Sequence, residues 1–451
     1  MNNNFKKTLA SIALAGALSF SNQVFSATGL FEIYQLAASH DAKLAQQKAI
    51  YEASLQNLDI ARAPLLPQLS ADGSYSVNDS NQARGDVNTR SLGINFRQSL
   101  YEHDVWSRYD QAKYIVKQAE YAIKEAEQDI IVRVAEQYFQ VLLAQEDVKL
   151  ALAKEKADQT QWDRASASAE VGLASKTDVL QTKSSFDLSK SDRISAENNL
   201  DIAYEQLMKL TGVEIKALKV IALNVKLPPI SLDINQYAKK AEQNNLTVLQ
   251  AVEQANASGE EIEVQKAGHW FKVDFRAGYN DKDYSGFTAN SAASYKDRTD
   301  FNMGVYASIP LYSGGLTSAS VSKARANYKA SNASLRDAKE TARLNARIQV
   351  RNVLRGLELV AANRAAVQSN DAFLEAAEEG YKVGLQDLLE VLTARTNKFQ
   401  ARRNLASSLH NVVLSRLKLE AAVGSLSAEN LINYESILSD PVNNTTLESI
   451  Q

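Results

Sequence analysis

The residues most able to do chemistry are four histidines, His40, His103, His269 and His410. They lie in separate segments, with no H-x-x-x-H or H-E-x-x-H spacing that would set two imidazoles on one helix face for a metal. Tyr312-Ser313-Gly314-Gly315 lacks the lysine and the spacing of a phosphate loop and reads as a strand-to-helix turn. No G-x-S-x-G occurs, and cysteine is absent, which removes thiolate and disulfide chemistry. Arg343, Arg347, Arg351 and Arg355 recur every four residues and form one helical stripe. It is either solvated or faces a lumen, where it would attract anions. Nucleic-acid binding would call for interleaved aromatics and a basic chain, whereas the net charge is -3 and the pI near 6.0. No catalytic constellation, metal site or cofactor site emerges, and the chain reads as a non-enzyme.

Two carboxylates remain, and they sit in matching places. Val171-Gly172-Leu173 is followed by Asp178-Val179-Leu180, and Val383-Gly384-Leu385 by Glu390-Val391-Leu392. Both have the form V-G-L-x-x-x-x-[D/E]-V-L, and the same displacement carries Gly212 onto Gly424. A carboxylate just after such a turn offsets a helix dipole by about 0.3–1 kcal/mol, which suffices for either residue singly. In a symmetric oligomer the same residue forms a ring of charge that selects or blocks ions.

The elements that position these turns are doubled as well. Leu69, Ala71, Gly73, Tyr75 and Val77 alternate with polar residues, and Leu92, Ile94 and Phe96 repeat the pattern as the second arm of a hairpin. In the second half Phe271, Val273, Phe275, Ala277 and Tyr279 form one strand, and Phe301, Met303, Val305, Ala307, Ile309 and Leu311 the other. Ser91–Tyr101 aligns without gaps on Asn302–Tyr312. One reading is a soluble sheet with one face on a core. The other is a transmembrane β-barrel, whose strands need about 9–11 residues. Trp106, Trp270, Tyr101, Tyr312 and Phe271 cluster at the strand ends nearer the helices, as an interfacial girdle would, and favour the membrane. Single-chain barrels begin at about eight strands. Four strands per chain therefore cannot close alone, and the barrel must be shared.

Long helices follow each hairpin. Val105–Val171 holds no glycine or proline, and Leu316–Glu379 only Gly356. A run of some 65 residues extends on the order of 100 Å. Heptad spacings such as Val134, Val141 and Val148 suggest coiled-coil packing. Shorter returning helices run to Gly212 and Gly424, and a helix from Phe31 to Ala63, ended by Pro64 and Pro67, precedes the first hairpin. Each long helix then lies antiparallel to two shorter ones stacked end to end. Lys6, Lys7 and the apolar run Leu9–Phe20 read as a secretory signal, with cleavage after Ser26 favoured over Ala27. The expected divisions are a signal peptide at 1–26, a first repeat at 27–212, a connector at 213–235, a second repeat at 236–424 and a polar tail at 425–451.

With these pieces in place, the chain resembles the TolC family of outer-membrane efflux ducts over residues 28–440. The resemblance rests on Ala61-Arg62-Ala63-Pro64-Leu65-Leu66-Pro67-Gln68-Leu69, the Leu-Tyr strand ends at 100–101 and 311–312, Gly314-Gly315 and both V-G-L turns. It implies an α+β membrane protein: a homotrimer with a twelve-stranded barrel in outer-membrane lipid and a twelve-helix barrel in the periplasm. A mixed belt would come from the connector and the C-terminal segment. Such ducts do no chemistry. They export drugs, toxic small molecules or proteins with a periplasmic adaptor and an inner-membrane efflux pump or ABC transporter, as in multidrug efflux and type I secretion.

By the same resemblance, Val171, Gly172, Leu173, Val383, Gly384 and Leu385 form the adaptor-docking tips. Asp178 and Tyr381 fall at a hydrogen-bonded latch between helices, and Glu390 on an acidic constriction ring. Thr393 stands where a second acidic ring member is common, and Gln386 where the best-known member has a latch arginine, implying a less charged gate. The proline expected before the third strand is absent, with Phe271 in that region. The competing readings are a non-conducting periplasmic coiled-coil scaffold and an exported hydrolase, the latter without a nucleophile to support it.

Overall fold

The computed structural model describes residues 27–78, 87–221, 225, 227, 230, 233–285, 296–435 and 438–439. The expected signal peptide, parts of the connector and the end of the polar tail lie outside the described residues.

The helix expected over 31–63 is two helices, α1 (Leu30–His40) and α2 (Ala42–Arg62). Asp41 separates them because its backbone is extended (ψ 116°) and its carboxylate accepts the Leu44 N–H at 2.8 Å. An aspartate in that conformation starts a helix instead of continuing one. Arg133 holds the same carboxylate with two 2.8 Å hydrogen bonds.

A hairpin follows, β1 (Gln68–Asn78) and β2 (Val87–Tyr101), then α3 (His103–Glu170, 68 residues) and α4 (Lys176–Thr211). The short β3 (Val220–Ile221) leads to α5 (Ile234–Asn244) and α6 (Leu246–Lys266), split at Asn245. Its side chain accepts the Thr247 and Val248 N–H groups. Next come β4 (Lys272–Ser285), β5 (Arg298–Ser308), α7 (Leu316–Lys382, 67 residues) and α8 (Leu388–Ala422). The C-terminal segment, which the resemblance places with the connector in a mixed belt, contributes α9 (Ala428–Glu435) and β6 (Leu438–Ser439), and β6 pairs with β3.

The four long strands form one antiparallel sheet in the order β1-β2-β4-β5, with β1 and β5 as its edges. One row across it is Ala71, Ile94, Tyr279 and Phe301; the adjoining row on the other face is Ser70, Asn95, Gly278 and Asn302. Register thus sorts the sheet into an apolar and a polar side, as period-two patterning requires. Among the described residues the apolar side is bare: Leu69, Phe301 and Met303 are about 70 % exposed. On the polar side Asp274 is gripped by Arg97 at 3.0 Å and Arg276 at 2.7 Å. The second hairpin stops earlier than expected: β5 ends at Ser308, not Leu311, because Pro310 has no N–H for a ladder. At the helix end of the sheet Tyr101 stacks on Phe271 at 4.9 Å and His103 on Trp270 at 4.8 Å.

The main core lies where α1, α3, α4, α8 and α9 converge, with Ile33, Ile130, Val134, Tyr138, Leu207, Leu417 and Leu431 fully buried. Each such side chain contributes about 1.5–3 kcal/mol. Tyr138 donates from its hydroxyl to the Lys219 carbonyl at 2.7 Å, tying the core to the strand pair β3–β6. Away from this level the helices pack thinly. The chain exposes 28358 Å², against roughly 17,000 Å² for a compact monomer of its mass.

Candidate functional site: the helix tips

Both long helices end the same way. After α3, Gly172 (φ 77°) donates to Ala169 O at 3.1 Å and Leu173 to Ser168 O at 2.8 Å. After α7, Gly384 (φ 77°) donates to Tyr381 O at 3.1 Å and Leu385 to Gly380 O at 2.8 Å. This is the Schellman arrangement, in which glycine supplies the left-handed residue and orphan carbonyls are satisfied. The leucine after the glycine usually packs back on its helix. Here Leu173 and Leu385 are 83 % and 84 % exposed, and Val171 and Val383 flank them, also exposed. All six V-G-L residues lie in these two turns, with their four apolar side chains turned outward.

The returning helices begin differently. In α4, Ser175 Oγ accepts the Asp178 N–H and an Asp178 carboxylate oxygen accepts the Ser175 N–H, both at 3.1 Å. Asp178 thus closes a capping box, which satisfies two orphan donors. In α8, Asp387 accepts the Glu390 N–H at 2.9 Å, and the Glu390 side chain stays exposed. Thr393, one turn on and also exposed, donates to its own Leu389 carbonyl at 2.8 Å.

The structure does not join Asp178 to Tyr381 within one chain. Tyr381 is half exposed and lines a groove between α3 and the α7–α8 pair, beside Gln161, Arg164 and Arg395. Gln386 turns inward instead of reaching another helix. It covers Gly380 so closely that a Cβ there would lie 2.6 Å from its Cγ.

A cluster that sequence reasoning missed lies just above. Arg395 of α8 donates to Glu378 of α7 at 2.9 Å and to the Ala157 carbonyl of α3 at 3.3 Å, with Asp158 of α3 at 3.9 Å. Asp158 is buried, and that burial pushes its carboxyl above the usual range against the pull of Arg395. The available signal was the spacing of Asp158 with Gln161 and Ala165, which sets a carboxylate on the buried seam of α3.

The histidines are scattered. His40 packs on Gly212, His103 on Trp270, and His410 on Phe139 at 5.4 Å. Burial lowers the His410 pKa to about 4, so the ring is neutral. The arginine stripe is exposed along α7: Arg343 pairs with Glu242 at 2.6 Å, Arg347 reaches Asn235, and Arg355 pairs with Glu358.

No helix among the described residues is long and apolar enough to cross a membrane. The family model described as "Outer membrane efflux protein" matches residues 33–213 and 237–425. The outer membrane protein TolC of Vibrio cholerae is 30% identical over 95% of this chain and 98% of its own length. The proteases secretion protein PrtF of Dickeya chrysanthemi is 26% identical over 96% of each chain. Among solved structures, the CmeC outer membrane channel of Campylobacter jejuni shares the fold at a TM-score of 0.77 and 17% identity, covering 93% of this chain and 94% of that one.

Proposed function

The chain belongs to the outer membrane efflux protein family, and on that premise we propose how it forms a channel and how that channel is gated. It is an outer-membrane exit duct for efflux and secretion and not an enzyme, with its helices in the periplasm.

Three copies join edge to edge, β1 of one against β5 of the next, and close a twelve-stranded barrel with lipid outside and water inside. The observation that carries this reading is the sheet itself: four strands, two unpaired edges and a bare apolar face. In lipid each unpaired backbone group costs several kcal/mol, so the edges must meet another copy. The large exposed surface of the chain supports the same assembly. Both halves run through helices, hairpin, long helix and returning helix, which supports an internal duplication of 27–212 and 236–424. The described parts of the connector and of the C-terminal segment contribute to a mixed belt, supported by the β3–β6 pair.

The V-G-L turns are the docking surface for a periplasmic adaptor, which connects the duct to an inner-membrane pump or ABC transporter. Their outward apolar side chains support this, because such a patch marks a protein contact. Glu390 supplies an acidic ring at the constriction with Thr393 beside it. Asp178 and Tyr381 supply the latch between helices, a contact that the single chain does not make. Gln386 serves the turn and adds no charge to the latch. The native mass of detergent-extracted protein tests the assembly. Three chains are expected, and a stable monomer would contradict it.

A further inference from the structure

Arginines packed among these helices have their donors taken up. Arg133 spends Nη1 and Nη2 on Asp41 and Nε on Asp129, all at 2.8 Å. Arg395 donates to Glu378 and to the Ala157 carbonyl. Arg416 of α8 departs from this pattern. Its Nε and Nη2 are shielded from solvent and meet no acceptor among the described residues. Those two nitrogens form one edge of the guanidinium, a pair of parallel donors spaced for the two oxygens of a carboxylate or phosphate. Glu420, one turn along, does not take them. Its Oε1 accepts the Tyr434 hydroxyl at 3.2 Å, and its Oε2 is buried without a donor. An unmet buried donor is costly, most of all on a charged group. Burial accordingly holds Arg416 below the ordinary arginine range and lifts Glu420 above the ordinary carboxylate range.

Arg416 lines a cavity of about 390 Å³ shared by α5, the end of α8 and α9. Lys240 and Glu420 are its other charged groups, and the rings of Tyr237 and Tyr434 with Leu419 and Val423 give it apolar walls. That volume falls in the range of small-molecule sites, which combine apolar walls with a few placed polar groups. The charges narrow the choice of occupant. Two cationic side chains face one carboxylate, a balance that suits a single negative charge. A doubly charged phosphate would meet repulsion from Glu420 and would leave the apolar walls without a partner.

We propose that this cavity binds an organic acid. Its carboxylate takes the Nε–Nη2 edge of Arg416, reached by a small turn of that side chain, and its apolar body packs between Tyr237, Tyr434, Leu419 and Val423. Lys240, exposed to solvent, draws the anion in. A ligand held this way bridges α5, α8 and α9, so its binding also raises the melting temperature.

The test is fluorine NMR of para-fluorobenzoate with the purified full-length protein in detergent, against the same detergent without protein. Wild type should broaden the signal, and unlabelled benzoate should reverse the broadening. Inorganic phosphate at equal ionic strength should not reverse it, and the uncharged para-fluorobenzamide should not bind. Arg416→Gln should weaken binding about tenfold or more. Arg416→Lys, which keeps the charge and loses the fork, should fall between the two. Glu420→Gln should bind at least as tightly as wild type, and Arg403→Gln, on another face of α8, should match it. Absence of broadening with wild type overturns the site, as does wild-type binding by Arg416→Gln. Displacement by phosphate as effective as by benzoate overturns the organic acid as the ligand. If Arg416→Gln does not assemble, the amide decides: para-fluorobenzamide binding as tightly as the acid overturns the role of the guanidinium.

Discussion

Asp178 and Glu390 occupy the same position, the third residue of a returning helix, but only Asp178 folds its carboxylate back, onto the Ser175 N–H at 3.1 Å. Glu390 uses its N–H, bonded to Asp387, and leaves its carboxylate free. The residue before the helix explains the difference. Ser175 is a neutral cap that tolerates a carboxylate curling over it, whereas Asp387 is itself an anion and repels one. One tip therefore spends its acid on local structure and the other presents it.

Glu390→Ala should weaken block of the reconstituted channel by a multivalent cation about tenfold or more, equivalent to about 1.4 kcal/mol for a ring that loses all its charge. Asp387→Ser copies the first tip and should weaken block in the same direction by letting Glu390 fold back. Unchanged block in Glu390→Ala would remove the residue from the constriction.

Ser175→Ala breaks the capping box and should cost about 1 kcal/mol at the α4 tip. Hydrogen exchange of the amides at 175–178 reads that loss. Tyr381→Phe should leave those amides unchanged, and its combination with Asp178→Ala should raise conductance. A double variant that stays closed would argue against a latch at these residues.

Leu173→Ser and Leu385→Ser alter side chains more than 80 % exposed, so melting should shift by no more than about 0.5 kcal/mol. Crosslinking to the cognate periplasmic adaptor should fall sharply. Crosslinking at wild-type yield would place docking elsewhere on the helices.

His410 makes stability depend on acid. Its folded pKa of about 4 lies below its ordinary value of 6.5, so the unfolded chain binds the extra proton. The stability it confers is complete above about pH 6.5 and declines as pH falls toward 4, by up to about 3 kcal/mol per chain. Melting at pH 7.5 and 4.5 should show a smaller loss in His410→Leu than in wild type. Equal losses would assign the acid sensitivity to other groups.

Periodicity made much of the architecture legible. Alternation at Leu69–Val77 and Phe301–Val305 gave strands, long runs without proline and with little or no glycine gave α3 and α7, and the V-G-L repeats gave both bends. The breaks at Asp41 and Asn245 were hidden, because a single polar residue in helical composition acts as a cap only when its backbone turns extended. The strand β6 was hidden because two residues form a strand only by pairing with Val220–Ile221, far away in sequence. The same holds for Arg395: nothing adjacent to it hints at Asp158, and three helices must pack before the pair exists. Chemistry carried by one turn was readable, whereas chemistry carried by packing was not.

The most direct test of the central claim is the current through the purified protein in a planar bilayer, with a trivalent cation added from the helix side. The account predicts a small, stable conductance that the cation blocks from that side, and weaker block in Glu390→Ala. A protein that inserts yet passes no ions would contradict it.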